Sequence, residues 1–221
     1  MQCFHSFSLP LLQIQNAIKM DIKELLSMPK SITSKDTQKA FAKIADELMH
    51  NYCIQCGEKK YYFAEIEFYY YDKENNSEEW NRRTYPRTDK KAGDLFFHYS
   101  GFDICFESKY SEGRFGGILI RSLFDKTNNR YITGPLLCVN EVLNACSASQ
   151  KWPILIPAQN ESCEIGGPIE RYGITYKDKN KKDELLCYFD KNIKCTNRFE
   201  DATWDFAKKE AKAVTRYYHR F

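Results

Sequence analysis

The chain has 221 residues, 43% of them hydrophobic and 29% charged, and a net charge of +3. This is the composition of a soluble globular protein with one sizeable core and no need of a second domain. So small a surplus excludes nucleic-acid binding by bulk charge; phosphate contacts would have to come from a local cluster of Lys and Arg.

Residues 1–20 lack a basic n-region, and Pro10-Leu11-Leu12 is too short for the core of a signal sequence or for a membrane span. Met20-Asp21-Ile22-Lys23 reads as an alternative start, which makes 1–20 a loose extension and 21–221 one domain, expected to be cytoplasmic and monomeric. Thr33-Ser34-Lys35-Asp36 is a capping-box pattern that opens a helix running to about His50, with Phe41, Ile44, Ala45 and Leu48 on one face. Strands follow at 52–56 and 61–71, joined by a turn at Gly57-Glu58-Lys59-Lys60. Residues 72–91 form a polar connection carrying Arg82, Arg83, Arg87, Lys90 and Lys91.

Residues 94–99 and 102–107 read as a hairpin about Ser100-Gly101, and 116–124 as a strand buried on both faces. Gly134-Pro135 opens a second helix with Val139, Val142 and Leu143 turned inward. Short strands are predicted at 152–157, 169–176 and 185–189, the last two separated by a charged turn at 177–183. A final helix over 202–219 has one apolar stripe and a basic side that suits either solvent or phosphate. Hairpins dominate and helices come at intervals, which argues for a single α+β domain on a curved, mainly antiparallel sheet.

Nine cysteines are scattered without a repeating frame and read as reduced and mostly buried. Cys53-Ile54-Gln55-Cys56 is a CxxC, but no second ligand pair accompanies it, so neither zinc nor any other cofactor is expected.

The chemistry concentrates in Ala64-Glu65-Ile66-Glu67-Phe68-Tyr69. Strand alternation puts Tyr62, Ala64, Ile66, Phe68 and Tyr70 on one face and Phe63, Glu65, Glu67, Tyr69 and Tyr71 on the other. The first set is a core face. The second is either an ordinary exposed face or a ring-lined pocket with a general base. Arg121 interrupts the apolar run Ile118-Leu119-Ile120-Arg121-Ser122-Leu123-Phe124, and a guanidinium there needs acceptors. Glu65, Glu67, Asp103 and Glu107 are on offer, and the set fits an active site and a structural ion network equally. His98, between Phe97 and Tyr99, can stack, donate a hydrogen bond or simply pack.

The order of these segments resembles the alkyladenine (methylpurine) DNA glycosylase family, which excises alkylated purines. Ala64 to Tyr69 is similar to the family's E-x-E-A-Y strand, and Thr84-Tyr85-Pro86-Arg87 to its T-P-R-N segment. Gly93-Asp94-Leu95-Phe96-Phe97-His98-Tyr99 with Gly101 resembles the G-T-L-Y-V-Y…Y-G hairpin. Gly116 to Leu123 resembles the V-L-[IL]-R-A-[LI] strand, Thr133-Gly134-Pro135 the S/T-G-P element, and Gly167-Pro168 through Ile174 the late P-R-[IV]-G-[IV] segment. The resemblance implies that Glu67 activates water for attack at the sugar carbon, with Arg121 beside the phosphate and water. It implies that Tyr69 and either His98 or Tyr99 sandwich a flipped-out base. Ser100 stands where the family has its wedging tyrosine, and Glu107 where it has the asparagine that screens the base. The expected partner is therefore DNA or a purine nucleoside or nucleotide, with Arg82, Arg83, Arg87, Lys90 and Lys91 as the phosphate-binding set. A non-catalytic protein that kept the scaffold is the alternative.

Overall fold

The computed structural model describes residues 21–28, 34–74, 84–170 and 186–193. The extension at 1–20, Arg82, Arg83 and the helix expected over 202–219 lie outside them. No helix among the described residues is long and apolar enough to cross a membrane.

A short helix α1 (Ile22–Leu26) is capped by Asp21, whose carboxylate accepts from the Lys23 amide at 3.0 Å. Helix α2 (Ser34–Asn51) buries the expected stripe of Phe41, Ile44, Ala45 and Leu48, and Met49 with it. It runs directly into β1 (Tyr52–Cys56), and a two-residue turn leads to the long β2 (Lys59–Asp72). The hairpin follows as β3 (Leu95–His98) and β4 (Gly101–Cys105), and then β5 (Arg114–Asp125) and β6 (Arg130–Thr133). Helix α3 (Pro135–Ser149) starts at a proline that needs no amide partner. Strands β7 (Ile154–Pro157), β8 (Ile165–Glu170) and β9 (Leu186–Asp190) complete the described chain.

All nine strands among the described residues join one sheet and every pairing there is antiparallel, so the α+β reading holds. The main path is β3-β4-β5-β2-β1-β7, with β6 on β5, β9 on β2 and β8 on β9. Strands β2 and β5 form its spine, and each changes its outer neighbour partway along. On β2, β1 occupies 59–62 and β9 occupies 65–67. On β5, β4 occupies 117–119 and β6 occupies 122–125. The ladder between the two spine strands is irregular at the same level. Phe63 opposes Leu123 and Ile66 opposes Ile120, while Glu65 opposes Ser122 and neither Ala64 nor Arg121 has a direct counterpart.

The α2 layer covers the Ile66, Phe68 and Tyr70 side of β2, where Phe41 stacks on Phe68 with centroids 4.4 Å apart. Phe106 and Tyr188 add further ring contacts at 5.9 Å to Phe41 and 5.6 Å to Phe68. The α3 layer meets the other side. Tyr61 donates to Glu141 at 3.0 Å, and Arg130 pairs with the same carboxylate at 2.7 Å. The expected inward residues of α3 need a correction. Pro135, Cys138, Val142 and Ala145 are buried, whereas Leu143 lies one residue off that stripe and is 39% exposed. Strand β7 begins at Ile154 rather than 152, because Pro153 favours an extended residue before it but supplies no amide to the ladder.

Truncating the ring that joins α2 to the sheet, Phe41→Ala, is expected to cost about 3–5 kcal/mol. Urea denaturation followed by circular dichroism measures this; a loss below about 1 kcal/mol would mean α2 is not anchored there.

Candidate functional site

The irregular level of the β2–β5 ladder explains how an arginine survives in an apolar strand. Its slack lets two consecutive residues of β5 reach the same carboxylate. Arg121 Nε donates to Glu65 Oε1 at 3.0 Å, and Ser122 Oγ donates to Glu65 Oε2 at 2.9 Å. Arg121 Nη1 donates to Glu67 Oε2 at 2.8 Å. Glu67 is wholly buried, and Glu65 and Arg121 are 4% exposed each. Cys187 of β9 donates to Glu65 at 3.6 Å, and burial first, then the Glu65 charge, pushes its thiol up. The open face expected beside Glu67 is thus a closed ion cluster.

A second cluster lies on the same face. Glu67 is opposite Leu119, Leu119 opposite Asp103, and Asp103 opposite Phe96, so these four side chains point to one side. Two strand spacings separate Glu67 from Asp103, roughly 10 Å between their α-carbons. Asp103 accepts from the Arg87 guanidinium, and its other oxygen lies 3.2 Å from His98 Nε2. Arg87 also donates to the Tyr85 carbonyl at 2.7 Å and covers the Phe96 ring at 4.9 Å. Gly117 makes room for it: a β-carbon there would stand 2.9 Å from Arg87 Nη2 and 2.9 Å from Asp103 Cβ.

Around this pair the rings gather. Tyr85 lies 4.8 Å from His98 and 6.2 Å from Tyr99, and Phe96 lies 5.8 Å from His98. Ser100 Oγ is 3.0 Å from His98 Nδ1, so the imidazole is held at both nitrogens. Burial, then a hydrogen bond with Tyr99, raises the Tyr85 phenol above its ordinary value. Tyr99 itself is 84% exposed at the hairpin tip. Tyr69 shares the Glu67 face, in register with Gly117, and is half-buried.

The structure therefore brings Glu67 and Arg121 into contact and puts Tyr69, His98 and Tyr99 on or beside the same face. It separates the others. Arg87, expected among the phosphate contacts, is buried with its guanidinium on Asp103. Glu107, expected beside the base, lies elsewhere. Strand β4 ends at Cys105, and Glu107 turns to Lys109 at 2.9 Å and lines a cavity with Leu95 and Phe97. Lys90 and Lys91 line that same cavity, reached from the side of β3 that faces away from Asp103. Tyr85 and Asp103 were under-read in the sequence; the signal available was an aromatic and an arginine flanking Pro86, and an acid alternating with Ile104.

No cluster of three or more His, Cys, Asp or Glu side chains that could hold a metal ion occurs among the described residues, Cys53 and Cys56 included. Burial pushes Cys53 to about 11 and Cys56 to about 12, the latter helped by its neighbour Cys146 on α3. Comparison with family models, with curated proteins and with solved structures finds no match. The class defined by the structure is accordingly an α+β domain on a curled antiparallel sheet with two buried carboxylate–guanidinium clusters on one face.

Two outcomes are expected. Gly117→Ala should destabilise the fold by about 1–3 kcal/mol through overpacking against Arg87 and Asp103, read as a shift of the urea midpoint. A thiol reagent at pH 8 should label Cys146 and leave Cys53, Cys56, Cys105 and Cys163 unreacted until denaturant is added, because burial raises these four to about 11 to 12. Peptide mapping before and after unfolding checks this.

Proposed function

We propose that this chain hydrolyses the N-glycosidic bond of a purine held against the Tyr85, His98 and Tyr99 rings, with Glu67 as the base that activates water. The supporting observation is the row Glu67–Leu119–Asp103, which sets the Glu67–Arg121 pair and the ring cluster on one face. Rings replace the stacking that a purine loses when it leaves a duplex or solvent. The bond breaks through a cation-like sugar, which a nearby carboxylate stabilises while it orients water. Arg121 fixes the Glu67 carboxylate in one orientation, and Asp103 orients His98 toward the base.

The basic residues favour a free purine nucleoside or nucleotide over duplex DNA. Lys90 and Lys91 lie across β3 from the ring cluster, and Arg87, though on the Glu67 face, is buried against Asp103, so no described member of the expected phosphate-binding set is presented to solvent beside Glu67. A second reading, a non-catalytic protein on the same scaffold, draws on the complete burial of Glu67. On the first reading this face must open for water to enter. On the second the ion pair is permanent.

Purine release from free nucleosides, and from duplex DNA carrying hypoxanthine, ethenoadenine or 3-methyladenine, decides between them. Wild type should release base, and Glu67→Gln should lose about 10²–10⁴-fold while circular dichroism shows it folded. No release by wild type from any of these substrates, or equal rates for the two proteins, establishes the scaffold reading.

A further inference from the structure

The turn that closes the β3–β4 hairpin carries a hydroxyl, an imidazole and a carboxylate in series. Ser100 Oγ lies 3.0 Å from His98 Nδ1, and His98 Nε2 lies 3.2 Å from Asp103 Oδ1. The main chain fixes which ring nitrogen carries the proton. The Ser100 amide, which can only donate, meets His98 Nδ1 at 3.3 Å, so that nitrogen is the acceptor. In the neutral ring the proton is then on Nε2 and is donated to Asp103, whose other oxygen holds the Arg87 guanidinium. Nδ1 keeps its lone pair beside the Ser100 hydroxyl. These are the three parts of an activated nucleophile: the hydroxyl, its base and the group that orients the base. The two nitrogens are used in the opposite order from the serine-protease template, which leaves the proton path the same.

Burial is graded along this relay. The Asp103 and His98 side chains are buried, Ser100 is half-buried at the hairpin tip, and Tyr99 beside it is exposed. Base and carboxylate are thus shielded from water while the hydroxyl is reachable. The Tyr85 phenol hydrogen-bonds to both the Tyr99 and the Ser100 hydroxyls. Helix α3 begins at the same spot: a β-carbon on Gly101 would stand 3.1 Å from Pro135 and 3.7 Å from the His98 ring. Gly134 supplies no capping side chain there and the first turn holds no acid, so the positive end of the helix is left uncompensated. The neighbouring Leu136 and Leu137 side chains are exposed.

We infer that Ser100 is the nucleophile of a carboxylic-ester hydrolase site, with His98 as its base and Asp103 as the residue that positions the base. Ser100 Oγ attacks the ester carbonyl carbon while His98 Nδ1 takes the hydroxyl proton. The oxyanion that forms is stabilised by the Tyr85 phenol and the amide end of α3. Its collapse breaks the bond to the leaving oxygen, which takes the proton from Nδ1, and the acyl group stays on Ser100. Water, deprotonated by the same nitrogen, then attacks the acyl carbon; the carboxylic acid departs and Ser100 recovers its proton. The Tyr85 and Tyr99 rings suit an aromatic alcohol, and Leu136 and Leu137 suit a short aliphatic acyl chain, so the substrate class is aryl esters. This activity goes beyond purine release, makes no use of Glu67 and stands independently of it.

The test uses the full chain, p-nitrophenyl butyrate as substrate and a fluorophosphonate that phosphonylates activated serine hydroxyls. Wild type should hydrolyse the ester with saturation and lose this activity as the phosphonate reacts, and peptide mapping should find the adduct on Ser100. Ser100→Ala should lower hydrolysis at least about a hundredfold. His98→Gln should slow adduct formation by at least about a hundredfold, the size of a general-base contribution. Circular dichroism checks that both variants are folded, and the wild-type adduct map needs neither of them. Absence of both turnover and adduct in wild type overturns the proposal. So does an adduct confined to other residues, or a Ser100→Ala protein that hydrolyses the ester at the wild-type rate. An adduct on Ser100 that forms equally fast in His98→Gln also overturns it, since the hydroxyl is then exposed but not activated.

Discussion

The fold depends on one guanidinium. Arg121 occupies the level at which both spine strands exchange their outer neighbours, where the regular ladder cannot supply every partner. A buried arginine is tolerable only if acceptors surround it, and Glu65 and Glu67 take its donors while Ser122 shares Glu65. The cluster thus ties β2 to β5 where main-chain pairing is weakest. Removing one member leaves an uncompensated charge in the interior, a cost of about 3–5 kcal/mol. Any chemistry at Glu67 must be reconciled with that structural duty, and the ion pair serves both roles only if the surrounding layer can part.

The second cluster obeys the same rule with different parts. Arg87 comes from a connecting segment rather than a strand, and it reaches Asp103 because Gly117 leaves the space empty. Its contact with Phe96 adds a ring face to the charge pair. The half-buried rings of Tyr85 and His98 and the exposed ring of Tyr99 then form the outward boundary of this face. Polar chemistry is concentrated on one side of the hairpin, and the other side borders a cavity lined by both lysines and carboxylates.

Much of the architecture was legible. The capped helix at 34–51, the strands on each side of Gly57, the hairpin about Ser100 and the proline-led helix all have local signals, and local physics decides them. Pairing of Arg121 with the Glu65 and Glu67 acids was legible as a need for acceptors, because a charge in an apolar run has few other solutions. What alternation could not reveal was burial of the acidic face, since that depends on α3, whose docking is set by residues some seventy positions away in sequence. The burial of Arg87 was hidden for a related reason. A basic residue in a polar loop looks solvated until a glycine on another strand opens a berth for it. Leu143 illustrates the remaining error, a shift of one residue around a helix whose apolar residues are too many to define a single stripe.

The exchange of neighbours on β2 and β5 has a topological corollary. Because β1, β9, β4 and β6 all dock around one crossing point, segments from both ends of the described chain are interleaved there. No shorter stretch between β1 and β9 holds a closed set of strand partners, so division of the polypeptide at any loop between these two strands would leave both fragments with unpaired edges. The molecule must assemble as a whole, with its earliest and latest strands meeting at the centre.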